Sequence, residues 1–465
     1  MRHYVQDLDV LQVPRILAAS LLGLAVLLSG CGTGVPAPAA TADRGVTRPA
    51  VGGAPAPVVV REAPQRVLAR VRIAAVGDVM VHRAVKESAA AADQREGERS
   101  LNFGGYRALF ADVAPDLRAA DIAFANLETP VVRRPEIRPY RINRYRWRNR
   151  FHAPPELLGA LRATGIHVVS LANNHIYDQG RAGLEATLDE VATAGLQAVG
   201  VGKTRAEAEQ PVVVEVQGVR VALLGYAEFF NIPILEPDQW DSAWANRIDP
   251  DRMVEAVRSA RRGADFVVVS LHWGIEYTPA PQRWQIDLAH RLLDAGADVI
   301  LGHHPHVLQP IEVYRTDDGR AGLVIYSLGN FISNQGWLYA HGSTPERVAE
   351  TRDGVLLWIV AEKRDYGAGL VRTEVAEVRY LPLWTDNDTL DRRGPVPATI
   401  RVVPIERALD ATRTQVARLL VTKDTTDFTE EQAAGYVGLQ VRLDMLLQRK
   451  AAIAKRLGEK YLAEP

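Results

Sequence analysis

This chain of 465 residues has a single cysteine, Cys31, and only four methionines. One cysteine excludes an intrachain disulfide, and it excludes zinc sites built on several thiolates. Any metal must therefore be held by His, Asp, Glu or Asn. An excess of one charge is also missing. The 55 Lys+Arg stand against 56 Asp+Glu, a formal net charge of −1. That balance argues against a nucleic-acid binder, which carries a clear basic excess. The apolar run Ile16 to Leu28 has 13 residues, too short to span a ~30 Å hydrocarbon layer comfortably as a helix. With 47% hydrophobic and 24% charged residues, the composition is that of a globular protein rather than a disordered, collagen-like or coiled-coil chain. The length allows two or three domains of ~150 residues.

The apolar run lies behind Arg2 and Arg15 and directly ahead of Leu28-Ser29-Gly30-Cys31. This order resembles a bacterial lipoprotein signal, in which the chain is cut before the cysteine and the thiol is acylated. Asp7 and Asp9 are unusual in such a leader, and a signal-anchor helix with an incidental cysteine is the competing reading. On the first reading residues 1–30 are the signal peptide, Cys31 is the lipidation site, and residues 31–66, dense in Ala, Pro and Gly, are a lipid-anchored tether. The expected location is the bacterial cell envelope, outside the cytoplasmic membrane.

From residue 67 short β-branched runs alternate with helical patterns, which points to an α/β fold. Strands are expected at 71–76, 121–125, 167–171, 220–224, 266–270, 298–301 and 323–326. Leu184, Leu188 and Val191 make one helical stripe, and Ile286, Leu288, Leu292 and Leu293 make another. Gly195 and Gly296 stand where helix ends call for a left-handed residue.

Most of these strands run into a residue that can bind metal, and open α/β sheets bind ligands beyond the carboxyl ends of their strands. Five of the eleven His fall in these strand-end motifs: His175, His272, His303, His304 and His306. His304-Pro305-His306 is the sharpest. In an extended segment i and i+2 point the same way, and Pro305 biases its predecessor toward that shape. Neutral imidazoles suit Zn, Mn, Fe or Ni. Asp78 follows a buried strand, where a carboxylate needs a cation or a helix N-terminus. Glu128 can bridge or orient ions, Asn174 offers an amide oxygen, and His175 is placed for acid–base work. The bland alternatives are a helix cap for Asp78, an Arg133 partner for Glu128, and turn or capping roles for the histidines.

Gly77-Asp78-Val79-Met80, Asn126-Leu127-Glu128, Ala172-Asn173-Asn174-His175, His272-Trp273-Gly274 with Glu276, Gly302-His303-His304-Pro305-His306 and Ser327-Leu328-Gly329-Asn330-Phe331 together resemble the CapA family, linked to poly-γ-glutamate capsule synthesis. The match runs in order over about residues 70–400. That family is similar to the calcineurin-like metallophosphoesterases. The resemblance implies a four-layer α/β/β/α sandwich over residues 67–404, followed by a C-terminal helical extension at 405–465. It implies metal ligands Asp78, Glu128, Asn174, His272, His304 and His306, with His175 and Asp78 catalytic. It implies one or two divalent ions (Mn, Fe, Zn or Mg). The sequence departs from the phosphoesterase pattern at Met80, which replaces the D-x-H histidine, although His82 lies nearby. It departs again at Ile176, which replaces an acid, with Asp178 two residues on.

The function implied is a metal-dependent hydrolase or transferase on an anionic envelope polymer, tethered to the membrane and associated with capsule-synthesis subunits. The alternatives are a non-catalytic polymer-binding subunit of such a complex, or a generic metal-dependent phosphodiesterase. Glu276 and Asn330 are expected on the substrate side of the cleft. The segment 132–150 leaves directly from Asn126-Leu127-Glu128 and holds eight Arg, three aromatics and one acid. Guanidinium forks pair two anionic oxygens at once, so Arg133, Arg141, Arg144 and Arg148 are expected to grip the polymer; a solvated loop is the alternative. Successive Arg→Ala changes in this segment should weaken polyglutamate binding more at low salt than at high salt, as measured by fluorescence anisotropy. Unchanged affinity would remove the segment from the binding surface.

Overall fold

The computed structural model describes residues 66–96, 103–138, 140–143, 146–148, 150–232, 245–390, 396–422, 425 and 428–463. The larger sheet contains β1 (Arg66–Val79), β2 (Ile122–Asn126), β5 (Val168–Ser170), β6 (Gln197–Val199), β13 (Asn330–Ile332), β14 (Asp353–Asp365), β15 (Val371–Asn387) and β16 (Ile400–Pro404). Its order is β16-β15-β14-β1-β2-β5-β6, with β13 beside the end of β1. The smaller sheet contains β7 (Val212–Val216), β8 (Val219–Ala227), β9 (Phe266–His272), β10 (Val299–His303), β11 (Leu308–Arg315) and β12 (Ala321–Leu328), in the order β11-β12-β10-β9-β8-β7. β3 (Tyr140–Asn143) and β4 (Arg146–Arg148) pair as a separate ribbon. β1, β2, β5 and β6 are parallel, as are β8, β9, β10 and β12.

Alternation along each central strand builds the layers, because successive side chains point to opposite faces. In β1, Val71, Ile73 and Ala75 enter the core between the sheets, whereas Ala74 and Val76 enter the core under the helices. In β9, Phe266 and Val268 face between the sheets, and Val267, Val269 and Leu271 face outward to the second helical layer. Buried on both sides, these strands read as continuous apolar runs. The larger sheet is covered by α1 (Arg83–Glu96), α2 (Tyr106–Leu109), α3 (Ala114–Arg118), α4 (Glu156–Thr164) and α5 (Gly180–Thr193). The smaller sheet is covered by α7 (Pro250–Gly263) and α8 (Arg283–Asp294), while α6 (Arg205–Glu209) connects β6 to β7. The result is the four-layer α/β/β/α sandwich that the resemblance implied. Leu184 and Val191 of α5 and Leu288, Leu292 and Leu293 of α8 are buried as their stripes predict. Gly195 (φ 71°) and Gly296 (φ 122°) take the left-handed conformation just past those helices.

The chain ends in α9 (Ile405–Thr422) and α10 (Glu430–Leu457). The sequence left open whether these helices pack on the core or on a partner. Leu409 of α9 and Leu446, Ile453 and Leu457 of α10 join the core between the sheets. Arg449, 2% exposed, donates to both carboxylate oxygens of Asp353 and to Glu346. Among the described residues no helix is long and apolar enough to cross a membrane.

β12 passes from the smaller sheet into β13 of the larger through Gly329, whose φ of 65° suits glycine. This crossover lies against β1: the Asp78 N–H donates to Gly329 O at 3.0 Å, and a Cβ on Gly77 would meet that oxygen at 1.9 Å. A Cβ on Gly302 would meet Tyr326 O at 1.9 Å. Gly302→Ala must push β10 from β12, and overpacking of this kind costs about 1–3 kcal/mol or more. A urea titration should show that loss; a wild-type midpoint would contradict the tight strand contact.

Candidate metal centre

The strand registers bring the polar motifs to one edge of the sandwich. In the larger sheet Asp78 of β1 is opposite Asn126 of β2, which is opposite Ser170 of β5. In the smaller sheet Ala227 of β8, His272 of β9 and His303 of β10 share a rung. Every strand supplying these residues ends there, so the loops that follow converge without long excursions. Asp78, Glu128 and His303 are fully buried, and Asn174, His272, His304 and His306 are 1–2% exposed.

Two donor groups form, each with its ligand atoms within 4.8 Å of one another: Asp78, Glu128 and His272, and Glu128, His304 and His306. Glu128 belongs to both. Its Oε1 lies 3.5 Å from His272 Nε2 and 3.8 Å from His306 Nε2. His272 Nε2 also lies 3.1 Å from Asn174 Oδ1. Asp78 Oδ2 is 3.1 Å from His306 Nδ1, and Asp78 Oδ1 is 3.3 Å from His303 Nδ1. Asn126 Nδ2 donates to Asp78 Oδ1 at 2.8 Å, and Asn173 Nδ2 donates to Leu127 O at 2.9 Å, which fixes the turn carrying Glu128. The six residues named as ligands by the resemblance are thus brought together.

The local backbone differs from the expectation at one motif. His304 and His306 are not extended; their φ values are +94° and +57°. A non-glycine residue in this region carries strain of about 1–3 kcal/mol. The segment after β10 turns sharply because the His304 N–H reaches back to Asp78 Oδ2 at 3.3 Å. The two rings reach one centre through this turn, at 5.7 Å between centroids, rather than through the i, i+2 geometry of a strand.

Burial favours the neutral form of an imidazole. It holds His272 well below its ordinary pKa, with His304 adding to the effect. It pushes His304 down to about 4, with His306 adding. Burial alone would raise the Asp78 carboxyl, but hydrogen bonds from His303 and His306 hold it well below the usual range. Neutral imidazoles around ionised carboxylates make a donor set for a divalent cation. Among the described residues the only ionic partners of Asp78 are imidazoles. His304 Nδ1 and Asn174 Nδ2 are buried without a hydrogen-bond partner. A bound cation would balance the buried negative charge, so the residues fit a metal.

His175 stands beside this cluster. Its Nδ1 lies 2.9 Å from Asp178 Oδ2, and Asp178 is fully buried. The Phe151 N–H donates to the same Oδ2 at 2.7 Å, and Arg150 Nη1 donates to Asp178 O at 2.6 Å. Asp178 thus supplies, from three residues on, an acid that is absent at Ile176. Sequence reasoning gave no role to Asp178, Asn126 or His303; the His-x-x-Asp spacing on a turn was the one available signal for the first. His82, near the expected D-x-H position, accepts the Asn334 N–H at 3.2 Å through Nδ1 and belongs to neither donor group.

The residues expected to touch substrate divide. Glu276 is half-buried and close enough to His304 to act on its charge. Asn330 is 1% exposed, its Oδ1 lies 3.2 Å from His306 Nδ1, and its Nδ2 donates to Thr351 O at 2.8 Å and Gln335 Oε1 at 2.9 Å. Its polar atoms are used inside the fold, where they orient His306. Arg133, an exposed side chain, forks onto Glu190 at 2.6 and 2.9 Å. Cys31 and Arg144 lie outside the described residues, as do the side chains of Arg141 and Arg148. Added Mn or Zn at a hundredfold excess over Kd should stabilise the fold by ~2.7 kcal/mol, read as a rise in melting temperature. Glu128→Gln should remove most of that rise because both donor groups lose a member, and His290→Ala, whose imidazole pairs with Glu312, should keep it. An equal metal response in the Glu128 variant would dissolve the shared site.

The model of the family described as bacterial capsule synthesis protein PGA_cap matches residues 72–335, which include every member of the cluster. Capsule biosynthesis protein CapA of Bacillus anthracis is 34% identical over 266 residues, 56% of this chain and 59% of that protein. PGA biosynthesis protein CapA of Bacillus subtilis (strain 168) is 33% identical over 303 residues, 63% of this chain and 68% of that protein. The matched part of the chain therefore spans about three-fifths of the first relative's length. A hypothetical protein from Thermus thermophilus aligns at 15% identity and a TM-score of 0.35, over 67% of this chain and 99% of that one, a likeness too low to carry an argument. With more than half of its length matched by the family model, and with the motif residues gathered at one sheet edge, the chain belongs to the PGA_cap family of bacterial capsule synthesis proteins.

Proposed function

We propose that this chain is a metal-dependent hydrolase or transferase acting on an anionic envelope polymer of the polyglutamate kind. Its place is the cell envelope, with a lipid on Cys31 holding it outside the cytoplasmic membrane and capsule-synthesis subunits as neighbours. The observation that carries the reading is the position of Glu128 in both donor groups, with the His175–Asp178 pair alongside. The relatives named for capsule and PGA biosynthesis suggest the polymer.

A divalent ion held by Asp78, Glu128, Asn174, His272, His304 and His306 would polarise the bond under attack and acidify a water toward neutral pH. Asp178 accepts the Nδ1 proton of His175 and so fixes its tautomer. Nε2 is then left to exchange a proton with the leaving group, near the Asn231 amide at 3.3 Å. Phe151 packs on His175 at 4.4 Å and Phe229 stands edge-on to His304 at 5.2 Å, and both rings limit water at the centre.

A second reading, a non-catalytic polymer-binding subunit, draws on Met80, which is buried where the phosphoesterases have a ligating histidine. Turnover separates the two. The metal-loaded chain should cleave or transfer a γ-glutamyl polymer faster than a chromogenic phosphodiester. His175→Ala and Asp178→Asn should lower that turnover by roughly 10²–10⁴-fold while metal content stays at the wild-type level. Polymer binding without turnover of either substrate would establish the non-catalytic reading.

A further inference from the structure

Lys86 is a half-buried ammonium on α1 with no carboxylate in ion-pair range among the described residues. Its Nζ instead lies 3.1 Å from His152 Nε2 and 3.2 Å from His152 O. One turn earlier His82 occupies the same side of the chain, and the Lys86 N–H donates to His82 O at 3.2 Å. The corner adjoins the metal centre through Phe151. That ring packs edge-on to His82 at 5.0 Å and against His175 at 4.4 Å. The nearby Arg83 is exposed and paired with Glu87 at 2.7 Å.

Both imidazoles in this corner are acceptors and therefore neutral. His82 Nδ1 takes the Asn334 N–H, so its proton sits on Nε2. His152 Nε2 faces the Lys86 ammonium. Burial, and then Arg83, hold the Lys86 amine below its ordinary value, and Glu87 offsets only part of that. A half-buried charge of this kind gains most from an anion that arrives with the ligand. One full positive charge with a neutral N–H donor beside it matches a carboxylate. A phosphate dianion would be only half compensated.

We propose that Lys86, with His82 and His152, forms a carboxylate-binding subsite beside the metal centre that seats a carboxylate of an acidic peptide chain. This rests on the reading that the centre acts on a polyglutamate-like polymer, and it adds where the polymer's charge is held. Repeating carboxylates along the chain would set its register, bringing one backbone linkage to the metal centre for each carboxylate held at Lys86.

The test measures binding of hexa-γ-glutamate and of tripolyphosphate to the full chain, with metal content determined on the same samples. Lys86→Met should weaken hexa-γ-glutamate binding about tenfold, the usual weight of a charge-assisted hydrogen bond. Lys86→Arg should recover part of the loss. Arg83→Met removes the same charge from the same helix and should change affinity less than about twofold, because exposed paired charges contribute little. Tripolyphosphate should respond alike to both Met variants. His82→Leu, which removes the Nε2 donor, gives a second variant and should weaken the peptide alone. Equal peptide affinity for the Lys86 and Arg83 variants, equal losses for the two ligands, or no peptide binding by the wild-type chain would each overturn the subsite. Loss at Lys86 in a chain that holds no metal would leave the subsite standing and remove the metal reading. Stoichiometric metal with no effect at Lys86 would do the reverse.

Discussion

Two carboxylates, Asp78 and Glu128, are taken fully out of water at the edge where both sheets end. The desolvation of such groups is too costly to leave uncompensated. Much of the architecture around them is explained by that cost. Imidazoles from β9 and from the turn after β10 close on them. Asparagines from β2 and from the turn after β5 orient the Asp78 carboxylate and the turn that carries Glu128. Burial favours the neutral form of His272 and His304, so a bound cation would balance the buried negative charge.

The sandwich can hold this cluster because its two sheets are linked where the cluster forms. Gly329 carries the chain from the smaller sheet into the larger, and its carbonyl receives the Asp78 N–H. The glycines at 77 and 302 permit the strand approach that a side chain would block. Arg449 holds Asp353 next to this crossover and the second half of α10 packs on the inter-sheet core, so the C-terminal helices serve the same scaffold. A rigid scaffold also accounts for the left-handed His304 and His306, since strain persists only where the surroundings over-determine it.

Around this frame lie groups with a different character. The His175–Asp178 pair is held by Phe151 and Arg150. His152, one residue further along, meets Lys86 of α1. Sequence neighbours 150–152 thus contact both the His175–Asp178 pair and the Lys86 ammonium.

Much of the fold and part of the site are legible in the amino-acid order. Alternating β-branched runs locate the strands, Gly195 and Gly296 the helix ends, and the polar residues that close each run identify the ligand-bearing positions. These are local properties, set by side-chain period and backbone sterics. The partnerships are not local. The crossover sets Asn330 behind His306, and α5 presents Glu190 to Arg133. Asp178 acquires its place only because a turn folds it back on His175. The sequence by itself determined the central parallel strands and which residues stand at their ends. Only the tertiary structure decided that Glu128 is shared between two donor groups and that His304 and His306 meet through a strained turn, because strand order and loop closure bring together residues whose separation along the chain carries no information about distance.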